Sequence, residues 1–402
     1  MKKCRLCNSI KVRKLIDFGK HPIAHDYLKS KNQKEYVHSF ILSFCNECGL
    51  FQISDPIPAD LLYADYLCLS SWKHQPHIPD IIETIESLPG LDKTASICEV
   101  GSNDGRFLFE LKKKGYAKLA GIEPAKDAFK SSMSKGIETI SGYFNLNSAK
   151  KYLKKYGKCD IFISRQMLEH VGELNEFSNA MSLILKPDGY VVIEIPDFTS
   201  FLDSPDYTLW EEHINYFTFD VLLDYLSRSN IEVIAKKSIL FSSLSLLVIG
   251  KMKNTKIPIK IPEYISTLRE KATIYKEQWK IFKKSINEYL KEKKKQKRKI
   301  AIYGAGARLC SLVNFCKIGK YIDFIVDDQV EKQNLYMPGS RLPILPSNML
   351  EKEGIDICLL AVNTECEEQV IAKHSFFLKR GGEFYSILPP SNRLLPVWDS
   401  FK

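Results

Sequence analysis

Short apolar runs that end in glycine turns occur twice along the chain and predict its two main sheets. Residues 95–105 read as a buried strand, then a glycine turn, with apolar positions at helical spacing beyond it. Residues 299–306 repeat the pattern. Strand, glycine turn and helix open a doubly wound α/β sheet. We therefore expect an α/β protein, with one Rossmann-like domain in residues 63–255 and a second in residues 299–402.

A single apolar seam lies between the two predicted sheets. Its members recur at alternating steps of three and four residues: Ile265, Leu268, Ala272, Tyr275, Trp279, Phe282, Ile286 and Tyr289. This spacing predicts one long amphipathic helix within a linker of residues 256–298. Such a seam could zip two chains into a coiled-coil dimer, but a single seam more often packs against its own domains. We favour an interdomain strut.

An acidic residue at the end of the second strand indicates which cofactor the first glycine turn holds. Glu123 follows Gly101 by 22 residues, where its carboxylate can accept hydrogen bonds from both hydroxyls of a ribose. The third glycine of a pyrophosphate-binding turn is missing, which disfavours NAD. S-adenosylmethionine has the ribose but no pyrophosphate, and it fits better than another nucleotide. The predicted cofactor residues are Gly101, Ser102, Asn103, Asp104, Gly105 and Glu123, with Gln166 after a later strand.

Two CxxC pairs near the N-terminus predict a metal site. The chain has 11 cysteines, an odd number that argues against a disulfide framework. Cys4 and Cys7 form one pair, and Cys45 and Cys48 the other. Four thiolates complete a tetrahedron around zinc and leave no open position, so the metal would be structural. We expect a zinc-binding domain in residues 1–62; buried or incidental thiols are the alternative.

A histidine among aromatic and acidic residues is the candidate general base. His213 follows Trp210, Glu211 and Glu212 shortly after a strand ends. A base for carbon or oxygen acids is expected at such a place. A structural histidine capping the helix that begins near Thr218 explains the residues equally well, and the chemistry alone leaves both open.

The motifs together resemble a known family. In order they are the paired CxxC, the turn after Glu99, Met167-Leu168-Glu169-His170, Glu212-His213 with Tyr216-Phe217, and residues 338–344. This set resembles the three-domain sugar C-methyltransferases over essentially the whole chain. The resemblance implies a zinc-binding domain, a class I methyltransferase domain that uses S-adenosylmethionine, and a C-terminal Rossmann-like domain. It also implies a nucleotide-linked keto sugar as substrate.

The resemblance assigns roles to four residues. His213 matches the base that removes the proton beside a ketone, and Glu212 would orient or polarise it. Tyr66 would be the substrate-side partner, unless it is a packing aromatic at the domain junction. His170 matches a position near the methyl donor, although a structural histidine is an equal alternative.

One position departs from the family pattern. Members carry a Tyr-His pair directly before Glu-His, whereas this chain has Trp210-Glu211. An indole cannot replace a phenol as proton donor. The substrate or the methylated atom can therefore differ, and O-methylation of a sugar-like metabolite stays open.

The second glycine turn lacks a third glycine, which argues against a second dinucleotide site. In the family this domain closes over the sugar nucleotide. Arg308 and Lys332 are candidate phosphate contacts, although surface charge is the commoner explanation for such residues.

Composition and charge restrict the classes of binding partner that we expect. The chain has 402 residues, 45% of them hydrophobic, and a net charge of +10 that first suggests nucleic acid or an anionic surface as partner. A zinc-containing nucleic-acid-binding protein that uses the basic segment is therefore the alternative function of another class. Residues 251–300 hold 17 basic and 5 acidic residues, so the rest of the chain sums to −2. The excess belongs to the linker helix and its tail. A solvated helix face is the commoner explanation, and attraction to anionic sugar nucleotides or a membrane-surface assembly is the alternative.

We accordingly expect a nucleotide-sugar substrate, no nucleic-acid partner, and a monomer or homodimer. No apolar segment reaches the ~18 residues of a membrane span, and no secretory leader is evident at the N-terminus. These features predict a cytoplasmic protein without membrane insertion.

Overall fold

The structure is a computed structural model that describes residues 3–62, 75–203, 209–241, 243–257 and 263–401. Tyr66 lies outside the described residues. Within them, the strands form three sheets of four, seven and five strands. The α/β class expected from the apolar pattern is confirmed.

The N-terminal module is an antiparallel sheet with the cysteine pairs at one end. Its strands are Val12–Pro22 (β1), Val37–Cys45 (β2), Phe51–Ile53 (β3) and, from much later in the chain, Asn215–Tyr216 (β9), in the order β1-β2-β3-β9. Helix α1 spans Ala59–Leu62. Because β9 comes two residues after His213, the module is directly attached to the predicted base.

The central module is a seven-stranded sheet with helices on both faces. Its strands are Ser96–Val100 (β4), Lys118–Glu123 (β5), Glu138–Ser141 (β6), Cys159–Arg165 (β7), Leu185–Pro196 (β8), Ile231–Leu240 (β10) and Leu244–Met252 (β11), in the order β10-β11-β8-β7-β4-β5-β6. Its helices are Ile78–Glu86 (α2), Arg106–Lys113 (α3), Lys126–Ser134 (α4), Leu146–Tyr156 (α5), Leu174–Ile184 (α6), Phe198–Asp203 (α7) and Phe219–Ser227 (α8).

Strand order and direction identify this sheet's topology. The five strands from β8 to β6 run parallel, and β11 lies antiparallel between β8 and β10. The order reverses at β4, where the chain crosses from one half of the sheet to the other. Ligands of such sheets bind at the carboxyl ends of the strands beside this switch point. The turn at residues 101–105 occupies that place.

The seam predicted between the sheets lies on one 32-residue helix, Tyr264–Lys295 (α9). Its apolar positions face the chain's own modules. Trp279 meets Phe18 of β1 edge to face, Tyr275 meets Phe198 of α7, and Phe282 packs on Trp398 near the C-terminus. The helix is thus a strut that joins the three modules.

The C-terminal module is a five-stranded parallel sheet. Its strands are Ile300–Tyr303 (β12), Phe324–Asp327 (β13), Ile344–Pro346 (β14), Ile357–Leu360 (β15) and Glu383–Ser386 (β16), in the order β14-β13-β12-β15-β16. Its helices are Ala307–Cys316 (α10), Met349–Lys352 (α11), Glu367–Lys373 (α12) and Ser375–Lys379 (α13). Among the described residues, no helix is both long enough and apolar enough to span a membrane.

Candidate active site and structural metal centre

The four predicted metal ligands converge at the tip of the N-terminal sheet. Their sulfur atoms all lie within 4.8 Å of one another, with 3.5 Å between Cys4 and Cys48 and 3.6 Å between Cys7 and Cys45. A tetrahedral zinc with Zn–S bonds near 2.3 Å places its sulfurs about 3.8 Å apart. The donor set therefore fits a zinc ion, and four thiolates leave no position for a reacting water.

The metal centre is physically tied to the segment that carries the predicted base. Arg5 lies inside the first CxxC turn, and its guanidinium crosses to the other segment. There Nε donates to Asn215 Oδ1 at 2.7 Å, and the terminal nitrogen donates to the carbonyls of Ile53 and Ile214. Folding of the cysteine turns thus positions the chain directly after His213.

The turn after β4 has the backbone of a ligand-binding loop. Gly101 and Gly105 have φ values of +64° and +72°, a region that side chains other than glycine rarely adopt. A Cβ on Gly105 would lie 2.4 Å from Ser132 Oγ, and one on Gly101 would lie 2.9 Å from Met167 Cγ. Both positions therefore require glycine, for backbone conformation and for space.

Glu123 stands at the carboxyl end of β5, beside this turn. Its two oxygens accept hydrogen bonds from the backbone N–H groups of Asn103 at 2.8 Å and Ala125 at 2.7 Å. Burial raises the pKa of this carboxyl. Each carboxylate oxygen has two lone pairs, so one on each remains for a ribose hydroxyl. The glycine turn and this carboxyl fit the ribose of S-adenosylmethionine.

Three other predicted cofactor residues make contacts within the protein. Ser102 is buried against Gly121, on which an added Cβ would lie 2.4 Å from the Ser102 Oγ, and this Oγ has no hydrogen-bond partner among the described residues. Asp104 accepts from Lys135 Nζ at 2.6 Å. Gln166 Nε2 donates to Ser245 Oγ at 2.8 Å and to Glu194 at 3.2 Å. Their backbone lies at the site, while their roles toward the cofactor stay predictions.

His213 lies in a cluster of aromatic rings and is almost completely buried. Trp210 packs against its ring at a centroid distance of 3.7 Å, and His170 meets it edge to face at 4.8 Å. Burial lowers the pKa of His213 well below its usual value, and the charges of His170 and Arg308 add to this. The imidazole is therefore neutral at physiological pH and has a lone pair that can take a proton.

The two glutamates before His213 point to the N-terminal module. Glu212 lies 3.3 Å from His25 Nδ1, and Glu211 accepts from the backbone N–H of Ala24 at 2.5 Å and lies 3.5 Å from His21. Glu212 therefore lies against His25 of the N-terminal module. The expected orienting role of Glu212 toward His213 stays a prediction.

Glu169 is a neighbour of His213 that we did not predict as a site residue. Its Oε1 lies 3.9 Å from His213 Nε2, and its side chain is 2% exposed. The residue lies in a short 3-10 helix, Leu168–His170, directly after the Met167 that packs on the glycine turn. Its place in the Leu-Glu-His motif is the sequence signal for this residue, and that motif had indicated only the histidine as a candidate.

The C-terminal module brings cationic groups to the same junction. Arg308, at the start of α10, lies near enough to His213 to depress the pKa of the imidazole. Lys332 donates to the carbonyl of Ala305 at 3.1 Å and lies 3.5 Å from Asp327. His21 of β1 bonds with Ser311 of α10 at 3.2 Å, which ties the first module to the third. The site is therefore built where the three modules meet.

Comparison with known families covers each module in turn. A zinc binding domain family matches residues 4–63, a methyltransferase domain family matches residues 72–236, and a family described as the C-methyltransferase C-terminal domain matches residues 255–389. The C-methyltransferase NovU of Streptomyces niveus is 23% identical over 401 residues, covering 96% of this chain and 95% of that protein. The match to this relative thus extends over all three modules.

Two solved structures that are similar to this chain each cover less than half of it. A SAM-dependent methyltransferase from Anabaena variabilis matches 45% of this chain and 87% of its own, at 12% identity and a TM-score of 0.37. A SAM-dependent methyltransferase from Thermotoga maritima, titled a possible histamine N-methyltransferase, matches 44% and 89%, at 15% identity and a TM-score of 0.34. The assignment instead depends on the three family matches and the full-length relative.

The arrangement of modules, the cysteine cluster and the methyltransferase sheet agree with these matches. The four sulfurs fit a structural zinc, and the glycine turn with Glu123 fits S-adenosylmethionine. The chain is an S-adenosylmethionine-dependent methyltransferase whose three modules match, in order, a zinc binding domain, a methyltransferase domain and a C-methyltransferase C-terminal domain.

Proposed function

We propose that the protein transfers a methyl group from S-adenosylmethionine to the carbon beside the ketone of a nucleotide-linked keto-deoxysugar, with His213 as the base. The observation that carries this proposal is a neutral, buried imidazole beside the methyl-donor site. The segment from Met167 to His170 touches Gly101 at one end and the His213 ring at the other. A base so placed can act on a substrate carbon that faces the donor.

The chemistry requires such a base. A hydrogen on a carbon next to a ketone is weakly acidic, and its removal leaves an enolate whose oxygen needs stabilisation. S-adenosylmethionine, when bound, supplies an electrophilic methyl group. His213 would take the proton, and the closed cluster around it would keep water away from the enolate.

The charges at the junction support the class of substrate that the resemblance to sugar C-methyltransferases implies. Arg308 and Lys332 stand at the second glycine turn, within the module that faces His213. A diphosphate linking sugar and nucleoside is a dianion that such groups bind. We assign the diphosphate to this side of the site, place the protein in the cytoplasm, and expect no nucleic-acid partner.

Trp210 supports a second candidate. Its indole packs on His213 at 3.7 Å and offers no hydroxyl to an enolate. Transfer to a sugar hydroxyl needs a base but no partner for an enolate oxygen, so O-methylation of a sugar-like metabolite is the alternative. Tyr66 would supply a phenol on the substrate side, and that role also stays a proposal.

The test measures exchange of the substrate's α-hydrogen in deuterated water, separately from methyl transfer, on a panel of nucleotide keto sugars. We expect His213→Ala to lower both rates by about 100-fold or more, because general bases contribute roughly 10²–10⁴-fold. S-adenosylhomocysteine should bind the variant normally. The matched control, His374→Ala, removes a buried imidazole of the C-terminal module and should leave both rates near wild type.

The outcomes separate the candidates. Methyl transfer without α-hydrogen exchange, on any member of the panel, would favour O-methylation. Undiminished exchange in His213→Ala would contradict the assignment of the base.

A further inference from the structure

Glu169 is a buried acidic residue that the proposed reaction does not yet use. Its side chain is 2% exposed, and neither of its oxygens has a hydrogen-bond partner among the described residues. Burying a carboxyl group without partners lowers the stability of a fold. A fold that keeps such a group has a use for it or has a ligand that completes its bonds.

The other unsatisfied group in this place is the predicted base. His213 Nε2 lies 3.9 Å from Glu169 Oε1, and its Nδ1 is buried without a partner among the described residues. Both side chains border one small cavity, whose remaining lining residues are Ile195, Pro196, Asn215, Tyr216 and Phe217. An acid and an imidazole therefore share an enclosed space.

The backbone holds the two side chains in this relation. The N–H of Ile214 donates to the carbonyl of Glu169 at 2.9 Å, so the residue after His213 is bonded to Glu169 itself. Asn215 Nδ2 donates to the carbonyl of Val171 at 2.7 Å, and Arg5 fixes Asn215 from the metal centre. A movement of about 1 Å brings the 3.9 Å separation to the length of a charge-assisted hydrogen bond.

We propose that Glu169 is a positioning residue that, as a carboxylate, accepts a hydrogen bond from the Nε2–H of His213 and leaves Nδ1 as the atom that takes the substrate proton. This inference rests on the proposed function. It assigns the tautomer of the imidazole, which the proposed function leaves open.

The proton transfer and the methyl transfer conserve charge and atoms. The α C–H bond breaks, its proton goes to Nδ1, and its electron pair becomes that of the enolate. The imidazolium then faces the Glu169 carboxylate, so the pair is neutral. The enolate carbon takes the methyl group, the electrons of the broken S–C bond return to sulfur, and the imidazolium later releases its proton to solvent.

The surroundings give the pair a distinctive pH dependence. Burial raises the pKa of Glu169 to about 8, with the Glu194 carboxylate adding to the shift. Burial lowers the pKa of His213, with His170 and Arg308 adding. Tyr216, also facing the pair, is neutral because burial raises the pKa of its phenol. Below a pH of about 8 Glu169 holds a proton, so α-hydrogen exchange should rise with pH as Glu169 ionises near that value.

The test compares Glu169→Gln with Glu169→Asp. The amide has the same shape but cannot take the negative charge, so we expect exchange and methyl transfer to fall by about 10²–10⁴-fold, as when a buried partner of a catalytic imidazole loses its charge. The rise near pH 8 should disappear. Glu169→Asp keeps the charge and should retain part of the activity, with the rise at a shifted pH, even if the amide variant folds poorly.

Two controls distinguish the proposed role of Glu169 from other effects of the substitution. Glu173→Gln removes an exposed carboxylate four residues along the chain and should change neither rate nor pH profile. S-adenosylhomocysteine affinity should be unchanged in Glu169→Gln, since the carboxyl faces His213 and not the cofactor turn.

Two results would contradict the proposed pairing of Glu169 with His213. One is wild-type exchange and an intact pH profile in Glu169→Gln, while His213→Ala abolishes exchange; the base would then stand without its partner. The other is a bound metal beyond one zinc per chain that is lost in Glu169→Gln, because a metal-bound imidazole nitrogen cannot take a proton. Undiminished exchange in His213→Ala would instead contradict the proposed function itself.

Discussion

The central and C-terminal sheets share one local design. In each, a strand ends in a glycine turn, a helix follows, and the next strand ends in an acid. Glu123 accepts from the backbone of Asn103 and Ala125. Asp327 likewise accepts from the backbone of Ala305 at 2.7 Å and Gln329 at 2.8 Å. By these contacts alone, either turn could be a nucleotide site.

The two turns differ in what covers them. The hydroxyl of Tyr27, from the N-terminal module, donates to the carbonyl of Ala305, and Lys332 donates to the same oxygen. The second turn is therefore occupied by the protein's own side chains, whereas the first is bordered by the segment that reaches His213. A strand, glycine turn and acid therefore define a fold, while the groups packed on the turn decide whether it holds a cofactor.

The largest difference in stability between the two turns should appear when the glycine just before the helix of each turn is replaced by alanine. Gly105 has a φ of +72° and no room for a Cβ, whereas Gly306 has a φ of −98° with nothing within 4 Å of an added Cβ. We expect Gly105→Ala to cost about 2–4 kcal/mol, from the left-handed backbone and the contact with Ser132. Gly306→Ala should change stability by less than about 0.5 kcal/mol. Urea unfolding measures both, and equal losses would contradict the distinction.

The acids should differ almost as much in cofactor binding. Glu123→Ala removes the acceptor for two ribose hydroxyls, and charged hydrogen bonds contribute roughly 1.5–3 kcal/mol each. We expect S-adenosylhomocysteine affinity to fall by about 100-fold, or about 2.7 kcal/mol, in a calorimetric titration. Asp327→Ala is the matched control and should change that affinity by less than about threefold. Comparable loss in both variants would mean that the effect is one of folding.

The sequence predicted those parts of the molecule that depend on local patterns. The strand and turn around Gly101, the acid at Glu123 and the seam of α9 all follow from the spacing of apolar residues and glycine, because burial imposes that spacing on each element. The CxxC pairs predicted the metal site equally well, because a tetrahedral metal requires two of its ligands to lie close together in sequence.

The rest depends on contacts between modules that no local pattern records. Glu169 and His213 are 44 residues apart and meet where the backbone N–H of Ile214, just before β9, donates to the carbonyl of Glu169. Arg5 bonds to Asn215 across 210 residues, and Glu212 pairs with His25 of the first module. A residue's type and neighbours in sequence suggest that it can do chemistry, but its partner is set by how the three modules pack.

The smallest effect should come from the group that covers the second turn. Tyr27→Phe removes one hydrogen bond to Ala305, whose carbonyl still accepts from Lys332, so the loss should be near the ~0.5–1.5 kcal/mol of a single bond. Spread over the unfolding entropy of 402 residues, that corresponds to a thermal midpoint lower by about 0.5–2 °C. Tyr336→Phe is the matched control, because this half-buried tyrosine pairs with Leu28 through its backbone and its hydroxyl has no partner among the described residues.

Because Tyr27→Phe keeps the aromatic ring, and the cation of Lys332 still covers the turn, neither variant should bind NAD. If Tyr27→Phe does bind NAD, one hydroxyl alone separates the two sheets, and the distinction between them is far weaker than their packing suggests.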